Sequence, residues 1–171
     1  MRRLTQFTIC FWVKTTGPKW TAFSYASKAA DNDLLIDCAN SVYLTIGNRA
    51  VNTGVVINDG TATANGRSWM DGDLAKAGTY LKKGYTIQAA GSLTLGQEQD
   101  SLGDAFDPKQ SLQGMLTNVI VWSYNLPAST IKELSRCCLA GKGDTYEWAN
   151  FIYGIKGNPH VVTPPVYPCS L

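Results

Sequence analysis

The stretch that most constrains this chain is Phe7-Thr-Ile-Cys-Phe-Trp-Val13. Phe7, Ile9, Phe11 and Val13 recur at period two, so they share one face of a β-strand. Cys10 and Trp12 share the other face, so both faces are expected to be covered, as in a sandwich of sheets. Further strands are expected at Trp20–Tyr25, Leu34–Ile36, Val42–Ile46, Arg67–Met70, Tyr85–Ala89, Ser92–Leu95 and Gly114–Trp122. From Val51 to Asp73 the alternation weakens; Val55–Ile57 reads as a short strand, and Asn58-Asp-Gly60 and Asn65-Gly66 as turns that favour positive φ. One helix is expected over Ala128–Cys138, with Ile131, Leu134 and Cys138 on one face and Pro127 just before it. The fold class is therefore all-β: a two-sheet antiparallel sandwich with one short helix near Ala128–Cys138.

The 171 residues make about one domain by the usual length prior. A net charge of +2, with no basic cluster larger than Lys82-Lys83, argues against nucleic acid as a partner. Met1-Arg-Arg is basic, but Leu4-Thr-Gln-Phe-Thr8 forms no hydrophobic signal core. That leaves a cytosolic chain, or an N-terminus that is not the native one. The five cysteines, Cys10, Cys38, Cys137, Cys138 and Cys169, contain no C-x-x-C pair, and the single histidine, His160, stands apart, so a zinc site is not expected. Five is odd, so at least one thiol is free or bonds another chain. No nucleophile–base set is visible: His160 follows Pro159 in the tail and no G-x-S-x-G elbow exists. The chain reads as non-enzymatic. Trp12, Trp20, Trp122 and Trp148 are expected in the core, with Trp69 the one allowed outside it.

The chemistry gathers in Leu95-Gly-Gln-Glu-Gln-Asp100 and the residues after it. Glu98, Gln99, Asp100, Asp107 and Gln110 follow directly on the apolar run Ser92-Leu-Thr-Leu95. Carboxylates and amide carbonyls on a loop are the oxygen donors a hard cation takes, and calcium accepts six to eight of them in loose geometry. Two carboxylates two residues apart on a loop are better placed to share a cation than to flank a sugar as a glycosidase pair does. The plain alternative is a set of solvated loop charges.

Phe7-Thr-Ile-Cys10, Phe23-Ser-Tyr25, Asp31-Asn32, Leu95-Gly-Gln-Glu-Gln-Asp100 and Gln110-Ser111 together resemble the pentraxins, jelly-roll relatives of laminin G domains and lectins. Gly114–Trp122, the single helix and the spacing of Trp148, Tyr153, Ile155 and Gly157 fit the same order. The resemblance implies a jelly roll over residues 1–157, incomplete at its N-terminus, followed by a Pro-rich tail over 158–171. It also implies two calcium ions held by Asp31, Asn32, Glu98, Gln99, Asp100, Asp107 and Gln110. Phosphate- or carboxylate-bearing groups on lipids, glycans or proteins would then fill open calcium positions. The implied setting is secreted or extracellular, as a homo-oligomer or part of a larger receptor; the alternative is an assembly protein with calcium as a staple.

Three departures from the family pattern stand out. The strands that precede the Phe7 strand in pentraxins are absent, which reads as a fragment or variant transcript. The H-x-C-x-[ST]-W segment expected between Ile46 and Asp71 is missing, so Cys10 lacks its usual partner and is free, paired with Cys38, or paired with another chain. Asp37 stands in the ligand pocket where the family places an aromatic. Cys138 and Cys169, with Trp20–Tyr25, look more like the pentraxin-like module of some adhesion receptors, where a cysteine pair clamps the tail to the helix end. That resemblance implies a Cys138–Cys169 bridge, with Cys137 as competitor. Closing a loop of about thirty residues would contribute about 3–4 kcal/mol in the chain-entropy view.

Overall fold

The computed structural model of the chain describes residues 1–55, 60–64, 67–70, 73–77, 82–136 and 142–162; over 60–64 and 67–70 only the backbone is described. In chain order the strands are β1 (Thr8–Thr15), β2 (Lys19–Ala26), β3 (Leu34–Ala39), β4 (Val42–Ile46), β5 (Arg49–Asn52), β6 (Gly60–Ala64), β7 (Arg67–Met70), β8 (Asp73–Ala77), β9 (Ser92–Leu95) and β10 (Gly114–Trp122). The helix α1 covers Ala128–Arg136, and 3-10 turns lie at Pro108–Gln110 and Trp148–Gly154. The strands form two five-stranded sheets, β10-β1-β6-β7-β8 and β5-β4-β3-β2-β9, with every pairing antiparallel. This is the expected jelly-roll sandwich.

The period-two reading of β1 holds. Phe7, Ile9, Phe11 and Val13 are buried in the core, while Cys10 and Trp12 are half-buried on the other face. Facing them are Trp20, Phe23 and Tyr25 of β2, Leu34 and Ile36 of β3, and Val42 and Leu44 of β4. A register shift between Thr21 and Phe23 keeps Trp20 and Phe23 on the same side despite their odd spacing. Strand β2 is buried from Trp20 through Ala26, including the polar Thr21 and Ser24. Such burial requires cover on the outer face as well as the core face. On β3, Asp37 alternates with core-facing Ile36 and Cys38, so it lies on the outer face, opposite Thr21 on one side and Tyr43 on the other.

Several expectations are corrected. Residues 85–89 form no strand: Ile87 makes a single bridge to Leu4, and polar side chains hold the rest. The buried Asp33 carboxylate accepts from the Tyr85 hydroxyl at 2.8 Å and from the Gln88 backbone N–H at 2.9 Å. Burial, then this bond, pushes the Tyr85 hydroxyl up to about 12. The Tyr25 hydroxyl donates to the Gln88 carbonyl at 2.7 Å and accepts from the Gly91 N–H at 2.7 Å. A Cβ on Gly91 would sit 2.1 Å from the Ala26 carbonyl oxygen, so the turn tolerates only glycine. Strands β5, β6 and β8 escaped notice because β5 and β8 are edges with no buried alternating face, and β6 carries only Gly, Thr and Ala. Residues 56–57 of the expected Val55–Ile57 strand and Cys138 at the expected helix end lie outside the described residues. Trp20 and Trp122 are buried as expected, Trp148 is exposed, and the Trp69 side chain is not described.

The segment after α1 is tied back to β10. Val121 bridges Tyr146, and the Asp144 carboxylate accepts from the Ser123 N–H at 2.7 Å and the Ser123 hydroxyl at 2.5 Å, with Arg2 at 3.4 Å. Slight burial acts to raise the Asp144 carboxyl, but the Ser123 and Thr145 bonds and Arg2 outweigh it and hold the group below its ordinary value.

Two outcomes follow. Tyr25→Phe leaves the Gln88 carbonyl and the Gly91 N–H unpaired and is expected to cost about 1–3 kcal/mol in urea unfolding. Asp144→Asn is expected to lower the melting temperature at neutral pH. Because the folded-state value is depressed, the stabilisation exists above the ordinary carboxylate range and fades as pH falls through it. Melting curves of the two proteins should therefore converge in acid; a pH-independent gap would show that the charge is not responsible.

Candidate functional site

A loop over 96–111 leaves the end of β9, the edge strand beside β2, and folds back over the outer face. Its base is closed by the Leu112 N–H on the Gly96 carbonyl at 2.8 Å, and Gly96 N–H reaches the Ala22 carbonyl at 3.2 Å. Gly96 takes φ +77°, a left-handed conformation suited to glycine at this sharp exit. Gln99 pins the loop to the sheet. Its side chain is wholly buried; Nε2 donates to the Ser24 and Ser92 carbonyls, each at 2.9 Å, and Oε1 accepts from the Gly103 N–H at 2.9 Å. Gln97 ties the loop to itself: Nε2 donates to the Asp107 carbonyl at 2.6 Å and Oε1 accepts from the Ser111 hydroxyl. Asp107 caps the 3-10 turn, its carboxylate accepting from the Lys109 N–H at 2.9 Å, which leads directly to Gln110.

The second arm is the turn before β3. Gly47 and Asn48, both at positive φ, make the tight turn between β4 and β5. That turn docks on residues 31–33. Asn32 N–H donates to the Asn48 side-chain oxygen at 3.0 Å, Asn48 N–H returns to the Asn32 carbonyl at 3.0 Å, and Gly47 N–H reaches the Asp33 carbonyl at 3.1 Å. The Asn32 backbone is therefore held by the β4–β5 turn, from outside its own segment.

The two arms meet electrostatically at Glu98, which is only 8% exposed. Burial first, then repulsion from Asp100 and Asp37, raises its carboxyl to about 7; a hydrogen bond from Asn32 acts the other way, and Asp31 adds to the rise. Burial likewise raises Asp37 to about 6. So Asp31, Asn32, Asp37, Glu98 and Asp100 share one neighbourhood. Asp107 is not among the charges acting on Glu98; it joins through Gln97 and Gln110. Among the described residues, no three Asp, Glu, His or Cys side chains are drawn tightly enough to form a metal cage by themselves.

The donor set has a further property. The Asn32 side-chain oxygen Oδ1 and the Gln110 side-chain oxygen Oε1 are both shielded from solvent and have no hydrogen-bond donor. An orphaned buried carbonyl oxygen costs free energy unless some partner meets it. One orphan lies on each arm, and both belong to the expected ligand set. A cation satisfies orphaned oxygens and opposes the carboxylate repulsion at once, so these residues fit calcium chemistry. Gln99 differs: its amide is fully used in holding the loop. The reading from sequence overlooked Gln97 and Asn48; Gln97 stood inside the signature segment, while nothing in the sequence tied Asn48 to Asn32.

Cys10 and Cys38 are unbonded, and burial pushes the Cys10 thiol up to about 12. Cys137, Cys138 and Cys169, and with them the expected bridge, lie outside the described residues. His160 is exposed.

Comparisons with known proteins agree with this architecture. The family model described as "Pentaxin family" matches residues 1–165. A rat protein, "Sushi, von Willebrand factor type A, EGF and pentraxin domain-containing protein 1", is 32% identical over 98% of this chain, but the chain spans 5% of that protein's length. Rat mucosal pentraxin is 31% identical over 96% of this chain and 77% of its own. In fold, the heptameric SAP-like pentraxin from Limulus polyphemus superposes with a TM-score of 0.74 at 20% identity, covering 86% of this chain and 78% of that one. The chain belongs to the pentraxin family.

Replacing the pin tests how the loop is held. Gln99→Leu leaves two carbonyls and one N–H without partners and is expected to cost about 3 kcal/mol. Hydrogen exchange should accelerate over 96–111 before it does over β2; uniform acceleration would mean the loop is part of the core unit.

Proposed function

We propose that this domain is an extracellular, calcium-dependent recognition module without catalytic activity. The observation that carries the reading is the pair of donorless buried oxygens, Asn32 Oδ1 and Gln110 Oε1, on two arms that also crowd carboxylates around Glu98. Asp31, Asn32, Glu98, Asp100, Asp107 and Gln110 would hold the calcium, two ions by family likeness, with Gln99 offering its backbone carbonyl because its side chain is engaged. Bound calcium would supply positive charge and open positions for phosphate or carboxylate oxygens of lipids, glycans or proteins. Asp37 lies on the same face and adds negative charge to the pocket wall, with Tyr43 beside it across the strand pair. That wall suits a ligand carrying a cationic group better than an apolar one. A Pro-rich tail over 158–171 would follow the domain over 1–157, clamped by the Cys138–Cys169 bridge that the resemblance implies.

Assembly is the second reading. Ile152, Tyr153, Ile155, Val161 and Val162 are exposed, Tyr153 at 95%, and exposed apolar residues in series favour a contact surface. Sedimentation with calcium and with chelator separates a calcium-stapled oligomer from a monomeric binder.

Two results bear on the main reading. Calcium is expected to raise the melting temperature of the wild-type domain, because a ligand that binds only the folded state stabilises it. Absence of any rise would overturn the calcium reading. In the calcium-free domain charged Glu98 is a burden, since burial and three neighbouring carboxylates oppose its ionisation. Glu98→Gln is therefore expected to melt higher than wild type in chelator and to lose the calcium-dependent rise. Capture on phosphoethanolamine beads, with and without chelator, checks the ligand class.

A further inference from the structure

We infer that Gln97 is a positioning residue for the cation site: it sets the Asp107–Gln110 arm of the loop against the Glu98–Asp100 arm, and it does so through the loop alone. The inference rests on the calcium reading above. Gln97 precedes Glu98 directly, and both ends of its amide are spent across the loop. Nε2 donates to the Asp107 carbonyl at 2.6 Å, and Oε1 accepts from the Ser111 hydroxyl. Its two partners bracket Gln110, whose Oε1 is donorless.

Two further bonds show what the clamp governs. Gln110 N–H donates to the same Asp107 carbonyl at 2.9 Å, so Gln97 and Gln110 share one acceptor. The Asp107 carboxylate caps the turn through the Lys109 N–H at 2.9 Å, so cap and turn are bonded to each other. Movement of the Asp107 carbonyl therefore carries both the Asp107 carboxylate and the Gln110 amide. Gln99 has a different task. It bonds Ser24 and Ser92 of the sheet and so fixes the loop as a body, whereas among the described residues the Gln97 side chain hydrogen-bonds within the loop, to Asp107 and Ser111.

The amide suits this place for a physical reason. The position needs one donor and one acceptor beside Asp107, Glu98 and Asp100. A carboxylate would lose the donor and add charge to a site where Glu98 is already raised by its neighbours. A lysine or arginine would lose the acceptor and set a fixed positive charge in competition with the cation. Groups that orient metal ligands without touching the metal typically govern affinity by about 10–100-fold.

The test compares calcium affinity by titration calorimetry with melting temperature in chelator. Gln97→Met keeps the length of the side chain and removes both bonds. It is expected to weaken calcium binding by about tenfold or more, while melting in chelator stays within a degree or two of wild type, on the order of a surface change. Ser111→Ala should weaken binding by less, and Ser111→Thr, which retains the hydroxyl, should restore it. A wild type that binds no calcium sinks the calcium reading itself. Wild type and Gln97→Met binding equally well would leave that reading standing and overturn the positioning role. So would a parallel fall in affinity and chelator-state stability, or a Ser111→Thr variant as weak as Ser111→Ala, since either marks ordinary structural damage.

Discussion

The arrangement depends on the double burial of β2. One face of this strand packs Trp20, Phe23 and Tyr25 into the core; the other carries Thr21 and Ser24, which are just as fully buried. Polar side chains on a buried outer face demand a cover that meets their hydrogen bonds. The loop over 96–111 provides it through Gln99, whose backbone N–H donates to the Ser24 hydroxyl and whose Nε2 donates to the Ser24 and Ser92 carbonyls. The acidic loop is thus also part of the wall of the fold. A loop held this way brings Glu98 close to Asp100, Asp37 and Asp31, and their repulsion opposes its ionisation.

That cost shapes the site. Three carboxylates act on a fourth that is almost out of water, and two amide oxygens wait without donors. Neither feature serves folding. Local frustration of this kind is found where a protein sets stability aside for binding. Elsewhere among the described residues, buried or charged acids meet partners. Asp33, though fully buried, meets Tyr85 and Gln88; Asp144 meets Ser123 and Arg2. Glu98 differs from these acids in that Asp100, Asp37 and Asp31 all repel its charge, with the donorless oxygens of Asn32 and Gln110 on the same two arms.

In the pocket proposed above, Asp37 stands where the family resemblance implies an aromatic. Asp37 stands on the outer face of β3, half-buried, raised by burial and adding to the charge felt by Glu98. With Tyr43 across the strand pair, the wall is acidic and aromatic rather than simply apolar. The same membership in a family therefore leaves room for a different preference, because fold and ligand are set by different residues.

The sequence alone determined the sandwich and the acidic loop. Alternation in Phe7–Val13 is a local signal, since side chains on a strand change face at every residue; the apolar run that ends Gly114–Trp122 is another, and L-G-Q-E-Q-D is a contiguous one. Strands without a buried stripe, β5 and β8, were illegible for the same reason: an exposed edge places no demand on alternation. Residues 85–89 misled because they alternate without a ladder to join: Ile87 pairs only with Leu4, and the Gln88 backbone bonds the side chains of Asp33 and Tyr25. What only tertiary structure decided is the division of labour among neighbouring amides. Gln97, Gln99 and Gln110 are one residue type within a single loop, yet one clamps, one pins and one is left without a donor. Hydrogen-bond partners come from across the fold, and no spacing along the chain encodes them.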